Sequence, residues 1–283
     1  MKSAHQRFAT TTIISALLAL IGAYSYALPA YNPSNDSTER AITAFDKGDY
    51  RTAFRLWLAK AERGDAVAQY NVGYLYEHGE GVPQNLAEAA RWYSLAAAQN
   101  VSEAQFNLGV MHLSGAGVER DYEEAALWFE KAADFQIEAQ FNLGLMYAIG
   151  QGVEKDNLKS LRWFERAAAQ GEIRAAYYVG YMYANGLNDK ADFERAVEWF
   201  KVAAEGGFTN AQYYLAQAYD RGQGVEKDLV AAYYWYKSAQ NGEHTDVTAD
   251  VDLKIEDVAS RLSAKELEQA RSMFMQRMNR VVH

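Results

Sequence analysis

The sequence of 283 residues contains no cysteine, five histidines and three prolines. The lack of cysteine excludes disulfide bonds, thiolate metal ligands and cysteine nucleophiles. The scarcity of proline leaves long stretches free to run as helices. No two histidines lie four residues apart, so no helix presents a histidine pair to zinc. No run of five or more basic residues is present either, which argues against nucleic-acid binding.

The N-terminus has the features of a secretory signal. Lys2, His5 and Arg7 precede an apolar run at 13–23, and small residues stand at the two positions of S-Y-A at 25–27 that a signal peptidase inspects. We predict cleavage after Ala27, with Ala30 as a second option. An uncleaved membrane anchor is the alternative, although the run is shorter than the ~20 residues that span a bilayer.

The exported chain is predicted to be strongly acidic. Removing residues 1–27 takes away Lys2 and Arg7 and no acidic residue, so the formal charge moves from −9 to −11. Such a chain is repelled by nucleic acid and by anionic lipid. We therefore expect no nucleic-acid partner. We also expect no transmembrane segment in the mature protein.

A repeat of 35 or 36 residues dominates the sequence. The segment A-Q-Y-N-V-G at 68–73 returns as A-Q-F-N-L-G at 104–109 and 139–144, and more weakly at 175–180 and 211–216. Five of the six tryptophans follow the same spacing, at Trp92, Trp128, Trp163, Trp199 and Trp235. Trp57 lies in a half-repeat before the first copy. Repeats of this length are typical of solenoids.

Each copy predicts two helices, here termed A and B. The A helix ends at a glycine turn with the pattern G-x-G-V, in which left-handed glycines stop the helix. An Asx residue then caps the B helix; these caps are Asp49, Asn85, Asp121, Asp156, Asp192 and Asp228. Along the B helix, the tryptophan, the aromatic residue after it and flanking alanines predict a packed core face. Two departures stand out: the fourth turn is G-L-N-D at 186–189, and the second copy ends at 134–136 without a glycine.

These copies resemble the Sel-one-like repeat, a relative of the tetratricopeptide repeat. The residues that carry the resemblance are A-Q-Y-N-V-G-Y-L-Y-E-H-G-E-G-V at 68–82 and A-A-R-W-Y-S-L-A-A at 89–97. The resemblance implies an all-α, right-handed α/α superhelical solenoid of helix-turn-helix repeats. It also implies an adaptor role, often in bacterial envelopes or in protein quality control.

The predicted organisation follows from the repeat. Residues 1–27 form the signal, 28–37 a linker, 38–65 an N-terminal capping half-repeat, 66–244 five repeats, and 245–283 C-terminal capping helices. A capping box at Ser263 and Glu266 begins the last helix. Its apolar positions, Leu267, Ala270, Phe274, Met278 and Val281, are expected to cover the apolar end of the fifth repeat.

We find no pattern for catalysis, a metal or a cofactor, and predict a protein that is not an enzyme. The G-x-G turns lack the preceding strand of a dinucleotide loop, and the capping carboxylates lie one per repeat, too far apart to share an ion. His112 occupies a tyrosine column, which indicates packing. Some disulfide-rich family members are linked to penicillin binding, so a penicillin-binding or β-lactamase-like relative is the less favoured alternative; the lack of cysteine and of a serine elbow argues against it.

A partner is expected on the concave side, which the A helices line. Two columns flank the core stripe of these helices. The first column contains Asn71, Asn107, Asn142, Tyr178 and Tyr214, and the second contains Tyr74, Val110, Leu145, Tyr181 and Gln217. The second column varies from copy to copy beside a fixed frame, as a binding wall would. For the first column, an asparagine ladder between repeats is an equal alternative.

Two functions remain open at this point. One is a scaffold that binds a protein or peptide segment. The other is a glycan or cell-wall (peptidoglycan) binding module that uses Tyr74, Tyr178, Tyr181 and Tyr214, since tyrosine combines an apolar face with a polar tip. Exposure of those rings in a coherent groove favours the second function, and a mixed surface with Val110 and Leu145 favours the first.

The signal predicts where the protein is found. Cell fractionation followed by N-terminal sequencing is expected to recover a chain that begins at Leu28 in the periplasm or outside the cell, because the peptidase cleaves after Ala27. Intact Met1 in a cytosolic fraction would contradict this prediction.

Overall fold

The fold is all-α in a computed structural model that describes residues 36–187, 189–242, 245 and 248–281. The predicted signal, most of the linker, His244 and His283 therefore lie outside the described residues. The chain divides into two compact units, one up to Ser160 and one from Leu161 onward. Among the described residues there is no strand, and no helix is both long and apolar enough to cross a membrane.

Seven of the helices that the structure describes lie in the first unit, and an eighth contains the boundary. They are α1 (Asp36–Asp46), α2 (Tyr50–Ala61), α3 (Ala66–His78), α4 (Leu86–Ala97), α5 (Ser102–Ser114), α6 (Tyr122–Ala132), α7 (Ile137–Ile149) and α8 (Asn157–Ala168). The second unit continues with α9 (Ile173–Ala184), α10 (Phe193–Glu205), α11 (Thr209–Arg221), α12 (Leu229–Gln240), α13 (Val251–Arg261) and α14 (Ala264–Val281).

Consecutive helices pack in pairs, which confirms the predicted solenoid of helix-turn-helix repeats. In the first unit α1 to α7 form an unbroken series in which neighbouring helices contact each other, and in the second unit α9 to α13 form another. The A helices of the five repeats are α3, α5, α7, α9 and α11, and the B helices are α4, α6, α8, α10 and α12. A contact with the neighbour in sequence is the rule for stacked repeats.

The two helices of a repeat meet at a glycine. A Cβ atom at Gly73 would lie 2.7 Å from the ring of Tyr93, and one at Gly109 would lie 2.7 Å from the ring of Phe129. Because real Cβ atoms do not approach so closely, only glycine lets the B-helix aromatic lie against the A-helix backbone. Tyr93 and Phe129 are fully buried as a result.

The predicted turns are present. Gly79, Gly115, Gly150 and Gly222 end their A helices in the left-handed conformation, and each donates a backbone hydrogen bond back into the helix. The second glycine of each turn is also left-handed, with φ of 76° at Gly117 and 71° at Gly152. A Cβ atom at Gly117 would lie 2.3 Å from the carbonyl oxygen of Leu86, the first residue of the preceding B helix. The turn of one repeat thus covers the start of the B helix before it.

The two predicted departures also appear. α9 ends one residue early, at Asn185 with a right-handed φ of −98°, and Gly186 then takes a φ of 60°. At the end of the second copy, residues 133–136 contain no left-handed residue, and Phe135 is 80% exposed. In three other copies a glycine or Asn100 supplies the positive φ at this point.

Every predicted cap accepts a backbone hydrogen bond from the first turn of its B helix. The distances are 3.1 Å for Asp49 with Thr52 and for Asn85 with Glu88, 3.0 Å for Asp121 with Glu124, Asp156 with Lys159 and Asp192 with Arg195, and 2.9 Å for Asp228 with Ala231. The side chains of these caps, five carboxylates and one amide, therefore accept hydrogen bonds from backbone amides. Each cap contributes about 1 kcal/mol to stability.

The tryptophan column requires a correction. The aromatic residue after each tryptophan is fully buried, but Trp128, Trp163 and Trp199 are only half-buried. Side-chain cations lie over two of these half-buried indoles, with Lys131 3.7 Å from the Trp128 ring and Arg166 5.5 Å from the Trp163 ring. The two aromatics are consecutive and therefore point about 100° apart around the helix, and only the second of them faces the glycine of the A helix.

The C-terminal helices cap the second unit. α13 and α14 both pack against α12, and Ala270 of α14 is fully buried. The predicted capping box forms between α13 and α14: the Ser263 amide donates to Glu266 at 2.9 Å, and the Glu266 amide donates to the Ser263 hydroxyl at 3.3 Å. These bonds hold the pKa of Glu266 below its usual value.

The turn geometry predicts a difference between two glycines. Gly117→Ala is expected to lose more stability than Gly64→Ala, although both residues have a positive φ. Gly64→Ala carries only the left-handed strain of about 1–2 kcal/mol, because no atom lies within 4 Å of its Cβ position. Gly117→Ala adds a clash with the backbone of Leu86. Urea unfolding midpoints at constant m-value measure both losses, and equal losses would contradict the predicted packing.

Candidate interaction surface

The A helices hold the two predicted columns, and neighbouring repeats cover them unequally. Asn71, Asn107 and Asn142 are buried, at 3%, 6% and 1% exposure. Neither polar atom of the Asn142 side chain has a hydrogen-bond partner among the described residues. Asparagines buried in this way present almost no area to a partner. Three members of the predicted wall therefore belong to the interior of the fold.

The clearest side-chain bonds between repeats come from glutamine, which the sequence reasoning did not single out. The glutamine two residues before the asparagine donates to a carbonyl at the end of the preceding B helix. This bond measures 3.2 Å from Gln105 to Ala97 and 2.6 Å from Gln140 to Ala133. The recurrence of glutamine in the motif was the available signal. The fourth copy has Ala176 at this position.

Where the first column changes to tyrosine, the ring stacks on an aromatic of the preceding B helix. Tyr178 lies parallel to Phe164 with ring centres 5.0 Å apart, and Tyr214 lies parallel to Phe200 at 5.4 Å. Tyr178 is only 6% exposed, whereas Tyr214 is half-buried. Of these two tyrosines, only Tyr214 offers substantial surface.

The second column is more accessible. Tyr74, Val110, Tyr181 and Gln217 are half-buried, and only Leu145 is fully buried. In the first unit, the Tyr74 ring stacks on His78 at 4.1 Å and meets Phe45 edge-on at 5.8 Å. His78 is exposed. A small aromatic surface thus exists at the start of the repeats as well.

Two accessible tyrosines of the second unit, one from each column, form a pair, here called the aromatic pair (Tyr181 and Tyr214). Their rings meet edge-to-face with centres 6.1 Å apart. Tyr177 lies beneath them, 6.1 Å from Tyr181 and 6.0 Å from Tyr214, and is fully buried. Phe208 supports Tyr177 at 5.0 Å. The sequence reasoning grouped Tyr181 and Tyr214 with Tyr178 but missed Tyr177 and Phe208.

Burial raises the pKa of these hydroxyl groups. Desolvation is the main cause that raises the pKa of Tyr214 to about 12, and the neighbouring Tyr181 raises it further. Desolvation also raises the pKa of Tyr181 and of Tyr178. The aromatic pair therefore combines apolar ring surface with hydroxyl groups that remain protonated at neutral pH, which suits an apolar or polar neutral contact.

Carboxylates near these tyrosines have structural partners. The hydroxyl groups of Tyr147 and Tyr183 donate to Glu130 and Glu165, each at 3.1 Å, from an A helix to the B helix before it. Among the described residues no three histidine, aspartate or glutamate side chains are grouped to hold a metal ion. His112 is half-buried in the tyrosine column, as packing predicts.

Comparison with known proteins gives five matches to the Sel1 repeat family. They cover residues 66–101, 102–134, 137–172, 173–208 and 209–240. The solved Sel1 repeat protein of Oxalobacter formigenes is 31% identical with a TM-score of 0.69, over 84% of this chain and 95% of that one. The protective antigen c5321 of uropathogenic Escherichia coli, which has an SLR fold, is 29% identical with a TM-score of 0.74, over 85% of this chain and 52% of that one.

Curated relatives match over short segments. DAP3-binding cell death enhancer 1 of Rattus norvegicus is 50% identical over 42 residues, which are 15% of this chain and 8% of that protein. The chitin synthase regulator SKT5 of Saccharomyces cerevisiae is 44% identical over 57 residues, which are 20% of this chain and 8% of that protein. The match thus spans less than a tenth of each relative.

The unequal burial predicts different effects for two tyrosines three residues apart. Tyr178→Ala is expected to cost roughly 3–5 kcal/mol, because it removes a buried ring that stacks on Phe164. Tyr181→Ala should cost less than half as much, since its ring is partly exposed. Urea unfolding monitored by circular dichroism measures both. A Tyr181→Ala variant that loses as much stability as Tyr178→Ala would show that the aromatic pair is part of the core.

Proposed function

The chain belongs to the Sel1 repeat family, as its sequence predicted, and from this membership we propose that it is an exported adaptor that binds another protein. The Sel1 repeat fold is generally a non-catalytic scaffold that mediates protein–protein interaction. The proposal adds two points, the location in the bacterial envelope and the binding face. The location is supported by the signal pattern at residues 1–27.

The observation that carries the binding face is the aromatic pair. Tyr181 and Tyr214 are held edge-to-face on a fully buried support, Tyr177. Such rings lose little conformational freedom when a partner binds, because their positions are already fixed. Partly exposed aromatics of this kind commonly dominate binding energy at protein interfaces.

The names of two relatives agree with this role. One relative is named for binding DAP3 and the other as a regulator of chitin synthase. Both names describe action on another protein. Because the matched segments cover only 8% of each relative, they support a binding role for the repeats and no particular partner.

The glycan alternative has less support. A sugar-binding platform needs flat, exposed rings, but Tyr178 is 6% exposed and the aromatic pair meets edge-to-face. The mixed surface that includes half-buried Val110 and Gln217 fits a protein better. The formal charge of −11 for a chain without residues 1–27, argued above, also disfavours nucleic acid and anionic lipid.

Partner capture tests the aromatic pair. The chain from residue 28 carries a photo-crosslinkable residue at Gln217, one helical turn beyond Tyr214, and cross-linked proteins from the native envelope are identified by mass spectrometry. Tyr181→Ala is expected to reduce the main cross-linked species at least tenfold, since loss of an aromatic anchor commonly costs about 2 kcal/mol. The unfolding midpoint of the variant is measured alongside.

The matched control is Tyr234→Ala. Tyr234 is also a half-buried tyrosine of the second unit, but it lies on the B helix α12. Its replacement should leave capture unchanged. The proposal fails if both variants capture the partner as the wild type does. It also fails if Tyr181→Ala abolishes retention on isolated peptidoglycan and leaves protein capture unchanged.

A further inference from the structure

The start of four of the B helices is a surface that a glycine turn covers. In four places a Cβ atom on the second turn glycine would lie within 2.4 Å of a carbonyl oxygen on the first residue of the preceding B helix. These glycine–residue pairs are Gly81 with Tyr50, Gly117 with Leu86, Gly152 with Tyr122, and Gly224 with Phe193. This surface therefore accepts a left-handed glycine and excludes any side chain at that point.

The last B helix, α12, has no following repeat to supply such a turn. The capping helices α13 and α14 pack against it, but only Leu262 and Ser263 join them. A cleft of about 700 Å³ remains, here called the terminal cleft. It is lined by residues 225–230 of the fifth repeat and by Tyr219, Arg261, Leu262 and Glu266.

The terminal cleft corresponds to a site that lies one repeat earlier in the chain. Residues 225–230 correspond to 189–194 one repeat earlier. Those earlier residues line a smaller hollow, of about 490 Å³, and Gly224 of the next turn forms part of its wall. The terminal cleft is thus the same surface without the glycine turn that covers it elsewhere.

Two charged side chains of the terminal cleft are available to a partner. Arg261 pairs with Asp220, and Asp228 caps the Ala231 amide. Glu226 and Lys227 are exposed and belong to no ion pair within the part of the chain that the structure describes. An acid and a base side by side fit a turn that carries both signs of charge.

The chain itself carries such a turn at its other end. Gly48 joins α1 to α2 with a φ of 76°, and no atom lies within 4 Å of its Cβ position. Lys47 and Asp49 flank it, and all three residues are exposed. This turn is shorter than the internal ones.

We propose that the terminal cleft binds the Gly48 turn of a second copy of this chain. Gly48 then takes the place that the second turn glycine has in the repeats, and Lys47 lies near Glu226. The two surfaces are different, so the contact is heterologous, and the pair retains one free turn on one copy and one free cleft on the other. Association is expected to rise with concentration and to extend beyond the dimer.

Sedimentation velocity tests this association on the chain from residue 28, across the micromolar to millimolar range. Gly48→Asn adds a side chain at the turn while it keeps the fold, because asparagine tolerates the left-handed conformation. It is expected to weaken association at least tenfold. Gly64→Asn is the matched control: Gly64 also has a positive φ and an open Cβ position, but it lies in a turn between a B helix and the next A helix.

The cleft is blocked separately by Glu226→Trp, with Glu154→Trp as its control. Glu154 is equally exposed and occupies the same column two repeats earlier. Gly48→Asn and Glu226→Trp, here called the blocked variants, should each associate far more weakly than the wild type when measured alone. An equimolar mixture of Gly48→Asn and Glu226→Trp retains one intact turn and one intact cleft, so it should form one-to-one dimers and nothing larger.

Three results would overturn the proposal. The wild type could remain monomeric throughout the concentration range. The blocked variants could associate as their controls do, which would place the contact elsewhere. The mixture could fail to form dimers while both variants keep the wild-type unfolding midpoint, which would show that the turn and the cleft are not partners.

Discussion

The contact between a glycine of the A helix and an aromatic ring of the B helix is the constraint on which the rest of the structure depends. A Cβ atom at Gly73, Gly109 or Gly180 would lie 2.7–2.8 Å from the ring that faces it. With glycine there, the ring lies directly on the helix backbone and becomes fully buried. This contact fixes how the A helix is rotated about its axis. Its rotation in turn decides which columns face a neighbouring repeat and which remain accessible.

Contacts between repeats then build on this fixed rotation, and they tolerate exchange. Tyr147 and Tyr183 donate to glutamates of the preceding B helix. The residue of α10 that corresponds to these glutamates is Lys201, and its ammonium lies 5.9 Å from the ring of Tyr219 in the fifth repeat. A tyrosine can meet either sign of charge, since its hydroxyl donates to a carboxylate and its ring attracts a cation. The solenoid therefore keeps its geometry while the surface charge changes from one repeat to the next.

Much of this fold was predictable because its signals are local. The caps at Asp121 and Asp192 and the left-handed Gly117 each follow from a few neighbouring residues and their backbone requirements. The departure at Gly186 was visible for the same reason. Burial was harder to predict, since it depends on the next repeat. The asparagine column and Trp163 lie on faces that periodicity assigns correctly, but periodicity does not give the distance to a neighbouring helix. The two columns of the candidate site were predictable from the repeat, but the repeat could not separate buried Asn142 and Tyr178 from accessible Tyr181 and Tyr214.

The two tyrosines of the first column show how one substitution acquires two roles. Tyr178 and Tyr214 replace the same asparagine, and both rings stack on a B-helix aromatic. The Tyr214 ring also meets Tyr181 edge-to-face, with ring centres 6.1 Å apart. The Tyr214 ring remains partly exposed, and desolvation is the main cause that raises the pKa of its hydroxyl to about 12. The hydroxyl stays protonated through the neutral range, so it can donate a hydrogen bond to a partner at neutral pH. Stacking therefore supplies stability at Tyr178, and at Tyr214 the same stacking holds a ring and a donor in place at the surface.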